Sequence, residues 1–234
     1  MSNYIENPKT LGSGILCCIP QTGECPVKCK DCFFQSGRSY LEPLSDNLPN
    51  LPDPEFANNF VVRMNDGNDS NVDKKIVVET ASKYRDVFFN TSFANSYFPN
   101  PVVVTINPAE LTDIGFHKLT GDLTNVMFVR FRINMWNIEL AKEAVEYYNK
   151  LDIPVVFTFM AYYTEEIPEE HKDKYIWMKR HINSYYVLKS EYVKEIKETF
   201  KYKKVYFCGA QKCKDCGRCL TEYFNTKRKM YKNA

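Results

Sequence analysis

Sulfur dominates the chemistry open to this chain. It holds nine cysteines, against three histidines (His117, His171 and His181) that lie far apart in sequence. Seven of the cysteines form two clusters built on one pentapeptide, KCKDC. The first reads CPVKCKDC, with the spacing Cys25-x3-Cys29-x2-Cys32. The second reads Cys208-x4-Cys213-x2-Cys216-x2-Cys219. Thiolates are soft ligands suited to zinc or to iron–sulfur clusters. Three of them on a four-iron cube leave one iron without a protein ligand, and an open position separates catalytic metal sites from closed structural ones. Four close the set, for a structural zinc or a complete cluster. The first cluster therefore reads as reactive, the second as structural or as an electron relay. Cys17 and Cys18 are left over. As neighbours in an apolar run they point to opposite faces, as buried free thiols do.

Seven apolar runs rich in β-branched and aromatic residues can position these groups: 14–20, 60–64, 87–92, 101–107, 126–134, 154–163 and 204–210. Several are apolar almost throughout, as strands buried on both faces are. Helical spacing aligns Val72, Ile76, Val77, Thr80 and Tyr84 within 71–85. It also aligns Ile138, Ala141, Val145 and Tyr148 within 138–150. A third helix follows Ser190 as its cap, aligning Tyr192, Val193, Ile196 and Phe200, and Pro108 opens a short one over 108–115. Strand–helix alternation implies parallel βαβ units, as an open sheet or as a full or partial barrel. In either case a site forms beyond the carboxyl ends of the strands. The loop of Cys25, Cys29 and Cys32 follows the first strand there. "RMNDGNDS", "NTS", "INP" and "RFRIN" end the second to fifth strands. The boundary falls at residue 204, giving a barrel over 1–203 and a cysteine-rich extension with a basic tail over 204–234.

At this point the chain resembles the radical SAM superfamily, through CPVKCKDC placed after a first strand. The resemblance implies a partial (β/α)6 TIM-like barrel with a short C-terminal extension. It implies a [4Fe–4S] cluster on Cys25, Cys29 and Cys32, with S-adenosylmethionine on the open iron. One electron then cleaves the sulfonium, and the resulting 5′-deoxyadenosyl radical takes a hydrogen atom from a substrate. An electron donor of flavodoxin or ferredoxin type is implied as a partner. The family carries an aromatic residue before the last cysteine; Asp31 stands here, and Phe33 and Phe34 follow instead. By the same resemblance Asn65, Asp66 and Gly67 occupy the place of the segment that contacts the methionyl amine. Asn90, Ser92 and Asn107 are candidates for ribose or carboxylate contacts. Arg130 and Arg132, on one face of the fifth strand, are candidates for pairing with the methionyl carboxylate. Many members add an auxiliary cluster after the barrel, which makes Cys208, Cys213, Cys216 and Cys219 a second [4Fe–4S] site, with zinc as the alternative. The catalytic residues and the substrate stay unassigned.

The remaining features narrow the classes. A formal net charge of +2 makes neither nucleic acid nor a membrane an obligatory partner. The start lacks a basic region followed by an apolar run, and no stretch approaches the ~20 apolar residues of a membrane span, so a cytoplasmic protein is expected. A reducing compartment favours metal binding over disulfides. No Ser–His–Asp set or phosphate loop stands out. The rival to an oxidoreductase is a non-enzymatic zinc protein touching nucleic acid through the tail "TKRKMYKN", itself expected to be a solvated end. Tyr162 and Tyr163 close the sixth strand, beside a candidate pocket or in the packing.

Overall fold

The computed structural model describes residues 4–29, 32–106, 115–179, 184–202, 204–209 and 212–232. In chain order the elements are β1 (Ile15–Cys18), α1 (Leu44–Asn47), α2 (Pro54–Ala57), β2 (Val61–Met64), α3 (Lys74–Ala81), β3 (Val87–Thr91), β4 (Val102–Ile106), β5 (Val126–Ile133), α4 (Ile138–Lys150), β6 (Val155–Phe159), β7 (Tyr175–Met178), β8 (Tyr185–Leu188), α5 (Ser190–Thr199), β9 (Val205–Cys208), α6 (Cys213–Cys216) and α7 (Arg218–Lys232). The seven apolar runs become β1 to β6 and β9, hydrogen-bonded in the order β1-β2-β3-β4-β5-β6-β9. The pairs β1–β2, β2–β3, β3–β4, β5–β6 and β6–β9 run parallel. The fold is thus α/β on a seven-stranded parallel sheet. β7 and β8 form a separate antiparallel ribbon, which the apolar periodicity did not reveal.

The chain divides into two compact units, 1–104 with 119–127 and 211–234, and 105–118 with 128–210. The expected boundary at 204 follows a different line: β9 belongs to the second unit, while α6 and α7 belong to the first.

In the first unit the continuous apolar runs have their physical cause in two-sided burial. All four residues of β1 and all five of β3 are buried. α3 turns Val77, Thr80 and Ala81 inward, whereas Ile76, expected on that face, is half exposed. The tail expected to be a solvated end continues α7: Thr226 is buried, while Arg228, Lys229, Tyr231 and Lys232 are exposed. In the second unit α4 buries Ala141, Ala144, Val145 and Tyr148, and the Tyr148 hydroxyl donates to the His117 carbonyl. α5 begins at Ser190 itself; Lys189 takes the cap position, and no side chain caps the helix. The helix expected at 108–115 lies, but for Gly115, outside the described residues.

Candidate functional site

Within the first unit, β1 delivers the chain through Ile19, Pro20 and Gln21 into the first cysteine loop. Ile19 pairs with Asn50 through two 2.9 Å backbone bonds, which fixes the exit of the strand. Gln21 is buried and ties this exit to the loop after β2. Its Nε2 donates to the carbonyls of Asp69 (3.0 Å) and Val72 (2.8 Å), and its Oε1 accepts from Asn65 Nδ2 at 3.0 Å. Gln35 closes the cysteine loop by donating to the Cys25 carbonyl at 2.9 Å.

Cys25 is buried, and Cys29 and Cys32 are half-buried. Burial pushes the Cys25 thiol up; the amides of Val27 and Asp69 pull against it, while Asp69 and Cys32 add to the rise. Cys29 Sγ lies 3.8 Å from Ser92 Oγ, beyond the end of β3. Cys29 thus reaches the end of β3, while Cys32 packs against the cluster of Ile19, Phe34, Leu41 and Leu48. Among the described residues no group of three or more His, Cys, Asp or Glu is drawn close enough to hold a metal ion. Lys30 and Asp31, between the last two cysteines, lie outside those residues.

The loop after β2 supplies most of the polar groups. Asn65 and Asn68 take left-handed backbone (φ 60° and 59°), which asparagine tolerates better than most residues. The Asn65 amide donates to the Cys18 carbonyl at 2.7 Å. Asp66 Oδ2 accepts from Asn7 Nδ2 at 2.7 Å. Asn65 Oδ1 is buried without a hydrogen bond, as are Asn68 Nδ2 and Ser70 Oγ, while the Asp66 carboxylate also meets the Tyr40 hydroxyl and the Cys17 thiol. Buried polar atoms are seldom left unpaired, because each costs roughly 1–3 kcal/mol. Gly67 accepts a close neighbour: a Cβ placed there would lie 2.0 Å from Phe34 Cδ2. The space above Gly67 is thus filled by the buried ring of Phe34, one of the two aromatics that come after Cys32.

The residue that joins these loops is Asp69, which the spacing argument did not single out. It is buried, and its carboxylate accepts four hydrogen bonds. Oδ1 takes the Thr91 hydroxyl (2.9 Å) and the Asn71 amide (2.8 Å). Oδ2 takes the Ser92 amide (2.6 Å) and hydroxyl (2.8 Å). Asp69 thus lies near Cys25, with its amide on Asn68 Oδ1 (2.8 Å), and carries its carboxylate to Ser92, which faces Cys29. Asn90 serves the scaffold too: its Nδ2 donates to the Met64 carbonyl at 2.9 Å, and its carbonyl accepts from the Ser70 amide at 3.1 Å.

A second missed residue is Arg63 on β2, whose signal was a lone cation inside the apolar run VVRM. Its Nε is buried and unbonded. Burial works against its charge, and the Asp66 carboxylate helps to hold it protonated. Cys17, paired across the ladder with Arg63, has its thiol pushed far up by burial and then by Asp66. Cys18 faces elsewhere, toward the Tyr84 hydroxyl at 3.9 Å, and burial lifts it to about 12. Both stay neutral thiols at pH 7.

The C-terminal cysteines of the first unit pack against the segment that leads into β1. The Cys213 amide donates to the Lys9 carbonyl at 3.0 Å, and a Cβ on Gly14 would lie 3.2 Å from Leu220. α6 places Cys213 and Cys216 one turn apart, Gly217 ends it in left-handed backbone (φ 60°), and Cys219 opens α7. Cys208, Arg130 and Arg132 belong to the second unit. Arg130 and Arg132 are half-buried on one face of β5, alternating with buried Val129, Phe131 and Ile133, and Arg130 lies 6.0 Å from the Phe128 ring centre. Tyr162 lies beyond the end of β6, buried against Trp136 and Tyr175, with its hydroxyl accepting from Asn134 Nδ2 at 3.2 Å. Asn107 lies outside the described residues.

No protein-family model, curated protein or solved structure matches this chain. Fold and site together define an α/β protein with a three-cysteine loop at the carboxyl end of its first strands. Its donor chemistry, soft thiols beside amide N–H groups and the orphaned acceptor of Asn65, fits an iron–sulfur cluster with an amine-bearing ligand. The thiols would have to close together on loading.

Proposed function

We propose that the chain is a radical SAM enzyme built on a partial (β/α)6 barrel. Cys25, Cys29 and Cys32 would hold a [4Fe–4S] cluster whose fourth iron takes S-adenosylmethionine. One observation carries the reading. Asn65, tied through Gln21 to the exit of β1, keeps its Oδ1 buried without a hydrogen bond, in the segment expected to meet the methionyl amine.

When bound, the cluster and S-adenosylmethionine supply a one-electron cleavage of the sulfonium and with it a 5′-deoxyadenosyl radical. The residues of the chain position and shield. Asn65 and Asp66 accept from the amino group and so orient the methionyl end. Asp69 fixes the Ser92 hydroxyl beside Cys29, and the amides of Val27 and Asp69 offset negative charge at Cys25. Phe34, packed over Gly67, keeps water from the loop. Ser92, Asn90 and Asn107 are assigned to ribose or carboxylate, and Arg130 and Arg132 to the methionyl carboxylate. By their spacing in the sequence, Cys208, Cys213, Cys216 and Cys219 would serve a [4Fe–4S] cluster or zinc. The electron donor is a flavodoxin or ferredoxin, in a reducing cytoplasm.

Anaerobic reconstitution with iron and sulfide, then dithionite and S-adenosylmethionine, tests this. The expected protein is brown, absorbs near ~400 nm, and releases 5′-deoxyadenosine. Cys29→Ala should abolish the release while the C-terminal metal stays. A colourless zinc protein that retains neither iron nor sulfide would refute the proposal.

A further inference from the structure

A second surface lies outside the sulfur chemistry, on α7. The inner face of this helix is anchored: the Tyr223 hydroxyl and Lys227 Nζ donate to Asp86 Oδ1 at 3.0 and 2.5 Å. Arg218 pairs with Glu222 at 3.2 Å. The outer face carries Phe224 and Tyr231, 48% and 72% exposed. They stand seven residues apart, so two turns or about 10 Å separate them along the axis. Arg228 falls between them on the same stripe, and Lys229 and Lys232 are exposed beside it. Arg228 lies along the helix, donating from Nε to the Phe224 carbonyl (3.3 Å) and from Nη2 to Asn225 Oδ1 (2.6 Å). An edge contact with Tyr223, ring centres 5.1 Å apart, steadies Phe224.

A merely solvated helix face mixes both signs of charge. This one carries two cations, Arg228 and Lys232, two open rings and no carboxylate, with Lys229 exposed at its flank. A helix lying on a membrane needs a continuous aliphatic face, but the exposed apolar side chains here are rings set singly between cations. Rings that stack on bases, interleaved with cations that meet phosphates, fit an unpaired nucleic-acid strand. We propose that the outer face of α7 binds single-stranded nucleic acid, with Phe224 and Tyr231 stacking on bases and Arg228, Lys229 and Lys232 on phosphates. Nothing in the stripe reads base edges, so binding tolerates sequence. The proposal is independent of the cluster.

The test uses the full chain and fluorescein-labelled 15-nucleotide strands of thymidine and of uridine, followed by anisotropy across a salt series. Saturable binding is expected, about tenfold weaker for a duplex of the same length. Phe224→Ala and Tyr231→Ala should each weaken it about tenfold with an unchanged salt slope. Arg228→Gln and Lys232→Gln should each lower the slope of log affinity against log salt by roughly 0.7. Lys75→Gln, on α3, should change nothing. Absence of saturable binding at low salt overturns the proposal. So does equal affinity for the duplex with both aromatic variants unchanged. Binding to phosphatidylserine vesicles without binding to either strand would make this a membrane surface instead.

Discussion

Replacing Asp69 should do more harm than replacing any other polar residue of the first unit outside the cysteines. Its carboxylate holds four donors, two of them the amides of Asn71 and Ser92. In Asp69→Ala the hydroxyls of Thr91 and Ser92 can rotate to new acceptors, but the two amides cannot. A stranded buried amide costs roughly 1–3 kcal/mol, and bonds to a charged acceptor are the stronger kind. Allowing for partial rehydration, the loss should be about 3 kcal/mol, a large share of the ~5–15 kcal/mol that holds a domain folded. For a chain of this size that lowers the melting temperature by roughly 6–12 °C. Asp69→Asn keeps one acceptor oxygen, so about half of that loss is expected. The damage should also be local. Asp69 joins the Cys25 neighbourhood to Ser92, so Cys25, only 6% exposed, should react faster with a thiol reagent in the variant than in the parent. Thermal unfolding and timed thiol labelling measure both effects. An Asp69→Ala protein within ~1 kcal/mol of the parent, with unchanged labelling at Cys25, would refute the idea that this carboxylate clasps the loops.

Two further predictions concern the frame. Burial alone would raise Asp86, yet its hydrogen bonds with Lys227, Arg85 and Tyr223 hold the carboxyl below its usual 3.8. A depressed carboxyl stabilises the fold fully above its unfolded value and loses that contribution as pH falls through the lower folded value. Asp86→Asn should therefore cost about 1–2 kcal/mol at pH 7, partly screened by solvent, with the gap to the parent closing below pH ~4. Urea titrations at several pH values check this, and a gap that persists unchanged at pH 2 would contradict it. Gly67→Ala should drive Phe34 from its seat, costing about 1–3 kcal/mol, and Phe34→Ala in the same chain should recover part of the loss. A double variant no more stable than the single one would mean that Phe34 does not set the glycine requirement.

The strands were legible because burial on both faces writes itself as an unbroken apolar run. β3, VFFNT, is buried throughout and reads so in the sequence. α7 was not legible as packed structure. Its outer face is rich in Lys and Arg, and the anchor on Asp86 comes from 137 residues away. The ribbon of β7 and β8 escaped because Ile176, Trp177 and Met178 are exposed, so neither alternation nor a buried run marks them. In the site, the segment "NDGNDS" read as polar, but sequence could not rank its members. Asp66 and Asp69 are the same residue three positions apart. Only long-range placement makes Asp69 a four-bond clasp and sets Asp66 beside Asn7, Tyr40 and Cys17. Gly67 was expected to make room for a ligand, and the ring of Phe34 occupies that space.

The two KCKDC segments show how little a short motif decides alone. In the second copy Cys213 to Cys216 forms a helical turn, which Gly217 ends before α7 begins. In the first copy Lys28 takes left-handed backbone (φ 47°), and the chain runs on from Cys32 into Phe33 and the buried Phe34. The two residues after the last cysteine of each copy separate them: Gly-Arg permits a cap and a new helix, while Phe-Phe pulls the chain down onto Gly67. Arg63 lies near Asp66 and also near Cys213 and Cys219 of the second cluster. An uncharged residue such as Met at position 63 would remove that cation. If the second site holds a cluster, Arg63→Met should lower its reduction potential, because a nearby positive charge favours the reduced, more negative state. Potentiometric titration of the reconstituted protein reads this directly, and an unmoved potential would mean that Arg63 serves the fold alone.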